Sequence, residues 1–205
     1  GEISLYEMMT VYSTFCNAGI STKPQYILRI DDKDGNVVQN FTTEMKEVFN
    51  DNTAYKMCEI MKGPVSPGGT AASLRAYFNY PTDVAGKTGT TNKNTDAWFI
   101  GFTPQLLAGV WVGCEDRSAR FKSIVYGQGA TAALPIWGYF MEKCYQDSDL
   151  QVSKEDFEKP ANFNIKIDCY GGGGGGGEST DSTATKPADS LEIEQQNMNE
   201  FGGGI

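Results

Sequence analysis

Lys87-Thr88-Gly89-Thr90 brings an ammonium, two hydroxyls and a glycine into consecutive positions. The ammonium attracts an anion, the hydroxyls donate hydrogen bonds to it, and the glycine lets a second backbone come close. Val84-Ala85-Gly86 before the run and Thr91 after it put these residues on a predicted strand. If that strand lies at a sheet edge, an extended peptide ending in a carboxylate can pair with it through main-chain hydrogen bonds. A bare K-T-G is short enough to arise by chance, so the reading rests on what surrounds it.

Composition narrows the chemistry. The chain has no histidine, which excludes a Ser-His-Asp triad, a Cys-His pair and any histidine-ligated metal centre built from this chain. Proton transfer falls to Lys, Tyr, Asp, Glu or water. The cysteines, Cys16, Cys58, Cys114, Cys144 and Cys169, show no C-x-x-C spacing, so no metal, redox centre or cofactor is expected. They read as small buried apolar residues, and a disulfide between two of them stays open because spacing gives no distances. Of the net charge of −9, the segment 171–205 contributes six acids against one base, so residues 1–170 carry only −4. Nothing in that balance forms a basic stripe, and nucleic acid is not an expected partner.

The strand needs elements to hold it. Ser4-Leu5-Tyr6-Glu7 is a capping box, and Leu5, Met8, Met9, Tyr12, Phe15 and Cys16 follow at helical spacing up to Gly19. Segments 26–30 and 36–38 flank Asp34-Gly35 and predict a hairpin. A second helix is predicted from Asp51 or Asn52 to Lys62, ending at Gly63-Pro64, with a loop over 66–69 and a short helix over 70–77. Three antiparallel strands follow, over about 83–90, 96–103 and 106–114. The last two are apolar almost throughout, so helices are expected over both faces. Residues 97–114 approach the length of a membrane span, but Thr103-Pro104-Gln105 breaks them as a turn. No span is predicted. Gly129 opens a last helix to about Tyr145, with Pro135 predicting a kink or a first-turn position. Periodicity fades over 146–170, which reads as an extension packed loosely on the domain. The glycine run 171–177 and the polar, acidic residues after it predict disorder. A start at Gly1, already close to helical pattern and without a charged and apolar leader, reads as a piece of a longer protein.

From Lys87 to Pro104 the chain reads KTGTTNKNTDAWFIGFTP. This run resembles the third active-site motif and next strand of class A (bifunctional) penicillin-binding proteins. Gly127-Gln128-Gly129-Ala130 and Ala132-Ala133-Leu134-Pro135-Ile136-Trp137 resemble the same family's last helix, and the first helix and hairpin match too, so the resemblance covers about 2–145. In this superfamily K-T-G works with S-x-x-K and S-D-N as one catalytic set. The implied fold is the α/β (α+β) penicillin-binding/β-lactamase-like transpeptidase fold, an antiparallel sheet flanked by helices and incomplete in this chain.

The implied reaction is acyl transfer. A serine attacks the D-Ala–D-Ala bond of a peptidoglycan stem peptide, and an amine on a neighbouring strand receives the acyl group. Lys87 and Thr90 would be catalytic, and Lys87, Thr88, Gly89 and Thr90 would bind the carboxylate of substrate or β-lactam. The Thr90 N–H would be half of the oxyanion hole. No serine in the chain has a lysine three residues on or an asparagine two on. Thr53-Ala54-Tyr55-Lys56 imitates the first motif with a threonine, downstream of where the family puts its nucleophile. Trp98 reads as a core or cleft-wall residue, and Glu115, Asp116, Arg117 and Arg120 as a solvated loop.

The expected organisation is therefore 1–148 as the C-terminal part of a transpeptidase domain, 149–170 as an extension and 171–205 as a tail. The chain alone is expected to be inactive. Its expected partners are stem peptides, β-lactams and the missing N-terminal part of the same domain, at the periplasmic or extracytoplasmic face of a membrane that anchors the parent upstream. Two competing readings are a serine β-lactamase or D,D-carboxypeptidase, and a non-catalytic cell-wall-binding module.

Overall fold

In the computed structural model, which describes residues 3–164, the first helix begins where the capping box puts it. Helix α1 (Leu5–Cys16) is capped by Ser4, whose hydroxyl accepts from Glu7 N while the Glu7 carboxylate accepts from Ser4 N. Backbone turns with positive φ at Ala18 and Gly19 end it. A side chain at position 19 would meet the Phe49 carbonyl at 1.9 Å, so only glycine fits.

The chain divides at Cys169/Tyr170, and every described residue belongs to the first unit. Cys169 and the tail 171–205 lie outside the described residues.

Strand β1 (Ile20–Thr22) pairs with β4 (Met45–Glu47). These short strands carry no readable alternation, and the sequence did not suggest them. Between them, β2 (Arg29–Asp31) and β3 (Val37–Asn40) form the expected hairpin, its turn closed by the Asp32 carboxylate accepting from Asp34 N and Asn36 N. Helix α2 (Asp51–Lys62) starts from Asn50, which caps Thr53 N, and 3₁₀ turns at Gly63–Val65 and Ala72–Ala76 follow.

The main sheet has the order β5-β6-β7, all antiparallel: β5 (Ala85–Thr90), β6 (Asp96–Phe102) and β7 (Leu107–Gly113). The register makes two faces. Lys87, Ile100 and Gly109 share one, and Thr88, Phe99 and Val110 the other. The β6–β7 connection is a tight turn with Thr103 N bonded to the Leu106 carbonyl, as the Thr-Pro-Gln break predicts. Among the described residues no helix is long and apolar enough to cross a membrane.

The Thr88 face packs on a broken helix. Short helices α3 (Ile124–Gly127) and α4 (Gly129–Ala132) precede α5 (Leu134–Gln146), with Pro135 in its first turn, where its missing N–H costs nothing. The last helix is thus shorter than the pattern from Gly129 suggests, because the chain breaks at Ala133. Trp137 is fully buried. Its indole N–H donates to the carbonyls of Gly101 and Ala108, and its ring meets Phe99 and Phe78 edge-on. Truncating such a residue costs about 3–5 kcal/mol, so this tryptophan fastens helix to sheet. On the opposite face Leu5 and Met9 of α1 press on Gly109.

The expectation of full cover holds for β6, where Ala97, Phe99, Ile100 and Phe102 are buried. It fails for β7, whose residues are half-buried or exposed, because β7 is an edge strand among the described residues.

The extension after α5 is tied down more firmly than its lost periodicity suggests. Ser153 N donates to the Gln105 side chain, Asp83 N to the Asp156 carboxylate, and the Thr82 hydroxyl to the Glu155 carbonyl. Phe157 packs edge-on against Phe102 and Phe163 against Tyr55. An extended segment held by distant partners leaves no periodic trace in sequence.

Candidate functional site

Strand β5 carries the Lys-Thr-Gly-Thr run, and its entry is pinned from three sides. Lys62 lies 2.8 Å from Glu59 and 3.0 Å from Asp83, two residues before the strand. Burial alone would push the Lys62 ammonium down, but its hydrogen bonds to both carboxylates hold it above the usual lysine range. The extension adds the bonds at Thr82 and Asp83 already described.

Among the described residues the other edge of β5 has no strand partner. Lys87 is exposed on the α1 face, its ammonium 3.0 Å from the Thr88 carbonyl. It opens on a groove of about 240 Å³ walled by Ile3, by Met8 and Tyr12 from α1 and by Trp98 and Ile100 from β6. Trp98 is therefore a cleft-wall residue. Gly89 faces it so closely that a Cβ at 89 would stand 3.1 Å from the Trp98 Cβ.

The two hydroxyls are held by groups the sequence did not single out for this role. Thr88 Oγ1 lies 3.0 Å from Thr70 Oγ1, and Thr90 Oγ1 accepts from Gly129 N at 3.1 Å. Gly129 comes this near because it is glycine: an added Cβ would sit 2.2 Å from the Trp98 carbonyl oxygen and 2.7 Å from that of Gly89. The structure thus gathers Lys87, Thr88, Gly89 and Thr90 with Thr70, Trp98 and Gly129. The glycines flanking Gln128 were the only sequence signal for the last contact, and Thr70 offered none.

Beyond Thr90 the strand turns through Thr91–Thr95 into Asp96. The Asp96 carboxylate accepts from the Trp111 indole at 3.0 Å and from the Thr91 and Thr95 hydroxyls at 2.9 and 3.1 Å. Burial pushes this carboxyl up, but the indole and hydroxyl bonds outweigh it and hold the group below the usual carboxylate range. Its part is to close the β5–β6 turn. Thr53 lies in the first turn of α2, its amide held by Asn50.

The described cysteines Cys16, Cys58, Cys114 and Cys144 are free, and Cys114, expected to be buried, is exposed in the loop after β7. Burial pushes the Cys16 thiol up to about 11 and the Cys58 thiol up to about 12, so neither is a nucleophile at neutral pH. Among the described residues no group of three His, Cys, Asp or Glu side chains could hold a metal ion.

Residues 2–114 match the family model of the penicillin binding protein transpeptidase domain. The chain belongs to this family. A relative, penicillin-binding protein 1A of Clostridium acetobutylicum, is 31% identical over 186 residues, covering 88% of this chain and 21% of the relative. The chain thus spans about a fifth of the length of such relatives. The fold is that of the solved penicillin-binding protein PonA1 from Mycobacterium tuberculosis, with a TM-score of 0.61 and 24% identity over 88% of this chain and 46% of that one. PonA1 has also been solved in complex with penicillin V, and that structure matches at a TM-score of 0.59 and 26% identity, over 76% of this chain and 40% of that one.

Proposed function

We propose that this transpeptidase chain is the C-terminal part of a serine D,D-transpeptidase that cross-links peptidoglycan stem peptides outside the cytoplasmic membrane, in a parent anchored to that membrane. The observation that carries the reading is the outer edge of β5, which has no strand partner among the described residues, with Lys87 at the groove. A stem peptide adds itself along this edge, and its terminal carboxylate meets Lys87, Thr88 and Thr90. The parent's serine attacks the carbonyl of the penultimate D-alanine, whose oxyanion is held by the Thr90 N–H and the serine's own amide. Terminal D-alanine leaves, and an amine of a neighbouring strand takes the acyl group from the serine ester. β-Lactams enter the same path as carboxylate-bearing acyl donors.

Neither S-x-x-K nor S-x-N occurs in the chain, so the serine and its partners come from a segment preceding residue 1 in the parent. That segment packs over the α1 face and forms the far wall of the groove. Fluorescent penicillin and intact-mass spectrometry test this directly. The full-length parent is expected to take up one drug molecule at a serine outside this chain, and the isolated chain none. An adduct mapped to any residue of 1–205, or a parent that takes up no drug, would overturn the proposal.

A further inference from the structure

Thr88 and Thr90 are each held from outside the Lys-Thr-Gly-Thr run, and the two contacts differ. A hydroxyl has one proton to donate and two lone pairs. Thr90 uses a lone pair to accept from Gly129 N, so its proton stays available. Thr88 instead donates its proton to another hydroxyl, that of Thr70, at 3.0 Å. When an anion reaches the strand, the Thr88 proton turns from Thr70 to the anion, and Thr70 can then turn its own O–H toward the Thr88 oxygen.

Thr70 is well placed to do this. It follows a tight turn in which Gly69 N bonds to the Ser66 carbonyl, and it precedes the fully buried Ala71, whose N–H bonds to the Pro64 carbonyl. Gly68 has φ +84°, and a Cβ on Gly69 would stand 2.2 Å from the Pro64 oxygen. The glycines of this loop therefore let the backbone fold back on itself and present the Thr70 hydroxyl to β5. Thr70 itself is exposed and fastens no core.

We propose that Thr70 is a positioning residue for carboxylate recognition, fixing the Thr88 oxygen and leaving its proton free for the ligand. The proposal rests on the reading of β5 as the substrate-binding strand. A chain of hydroxyls ending on a charged acceptor is polarised along its length, so losing its far member weakens binding without touching the acylation chemistry.

The experiment uses the full-length parent and benzylpenicillin. Stopped-flow acylation over a range of drug concentrations separates the dissociation constant from the limiting rate, with thermal melts alongside. Thr70→Val is expected to raise the dissociation constant roughly five- to tenfold and leave the limiting rate unchanged. Thr70→Ser, which restores the hydroxyl, is expected to return it to the wild-type value. In Thr70→Val/Thr88→Val the loss should match that of Thr88→Val alone. A Thr70→Val protein that binds as wild type while Thr88→Val binds weakly would overturn the role of Thr70 and leave the reading of β5 standing. Wild-type binding by both variants would overturn that reading and this proposal together. A fall in binding, limiting rate and melting temperature that serine does not restore would make Thr70 merely structural.

Discussion

At the scale of residues, the proposed chemistry concentrates in one ammonium and two hydroxyls on a strand whose outer edge has no partner among the described residues. Lys87→Ala in the full-length parent removes the charge that, on the proposed reading, meets the incoming carboxylate. Acylation by penicillin is expected to slow by roughly 10²–10³-fold, about 2.7–4 kcal/mol, the scale of one lost contact in a preorganised site. Lys87→Arg keeps the charge but broadens the head group, so partial recovery is expected. Stopped-flow rates decide, and near-wild-type acylation by the alanine variant would take Lys87 out of the site. Asp96 supports the same strand through its turn, and its effect has a definite pH signature. Its carboxyl is held below the usual range in the folded chain, so the stability it adds is complete above the unfolded value of about 4 and is lost as pH falls through the lowered folded value. Asp96→Asn should therefore lower the melting temperature at pH 7 by about 2 °C, a small effect for a half-buried group still reached by solvent, and the gap to wild type should close as the pH drops below about 4. A gap that persists in strong acid would assign the effect to packing.

At the scale of elements, glycines decide how closely helix and loop approach the strand. Gly129→Ala would drive a Cβ into the backbone oxygens of Trp98 and Gly89, which cannot move without opening the β5–β6 ladder. A loss of about 3 kcal/mol is expected, close to 10 °C in melting temperature. Gly35, at φ +85°, has nothing within 4 Å of an added Cβ, so Gly35→Ala should cost only the backbone strain of about 1–2 kcal/mol. Differential scanning calorimetry on the two variants separates close approach from conformational strain, and equal losses would mean that α4 gives way under the clash. The same distinction explains what could be read in advance. Gly35 sits in a hairpin turn spelled out by its neighbours. Gly129 meets residues that are far away in sequence, and its neighbours suggest only the start of a helix.

At the scale of the whole molecule, the extension after α5 belongs to the support of the site. Its bonds to Thr82 and Asp83 reach the residues just before β5, and Phe157 lies against the buried Phe102. Truncation after Leu150 removes all of these and exposes apolar surface beneath, so a loss of about 3 kcal/mol is expected. Truncation after Tyr170 keeps every one of them and should leave the melting temperature within about 2 °C. Thermal melts of the two truncated chains are the measurement. Equal stability would show that the extension rests on the body without holding it.

The sequence by itself determined the pieces whose signals are local. The capping box at Ser4, the turn at Asp34-Gly35, the span of α2 and the three main strands each depend on backbone bonds and apolar spacing within a few residues, and so they were legible. The strand that carries the Lys-Thr-Gly-Thr run was legible for the same reason, and the chemistry proposed for it lies in consecutive side chains. Tertiary structure alone decided that the Lys-Thr-Gly-Thr strand lies at an edge of the described sheet, which face Lys87 shares with α1, and what holds the two hydroxyls. Those contacts join residues 18 and 39 positions apart. Such contacts form only once whole elements have packed, because the loop between the partners must first be closed at an entropic cost that no short stretch of sequence records.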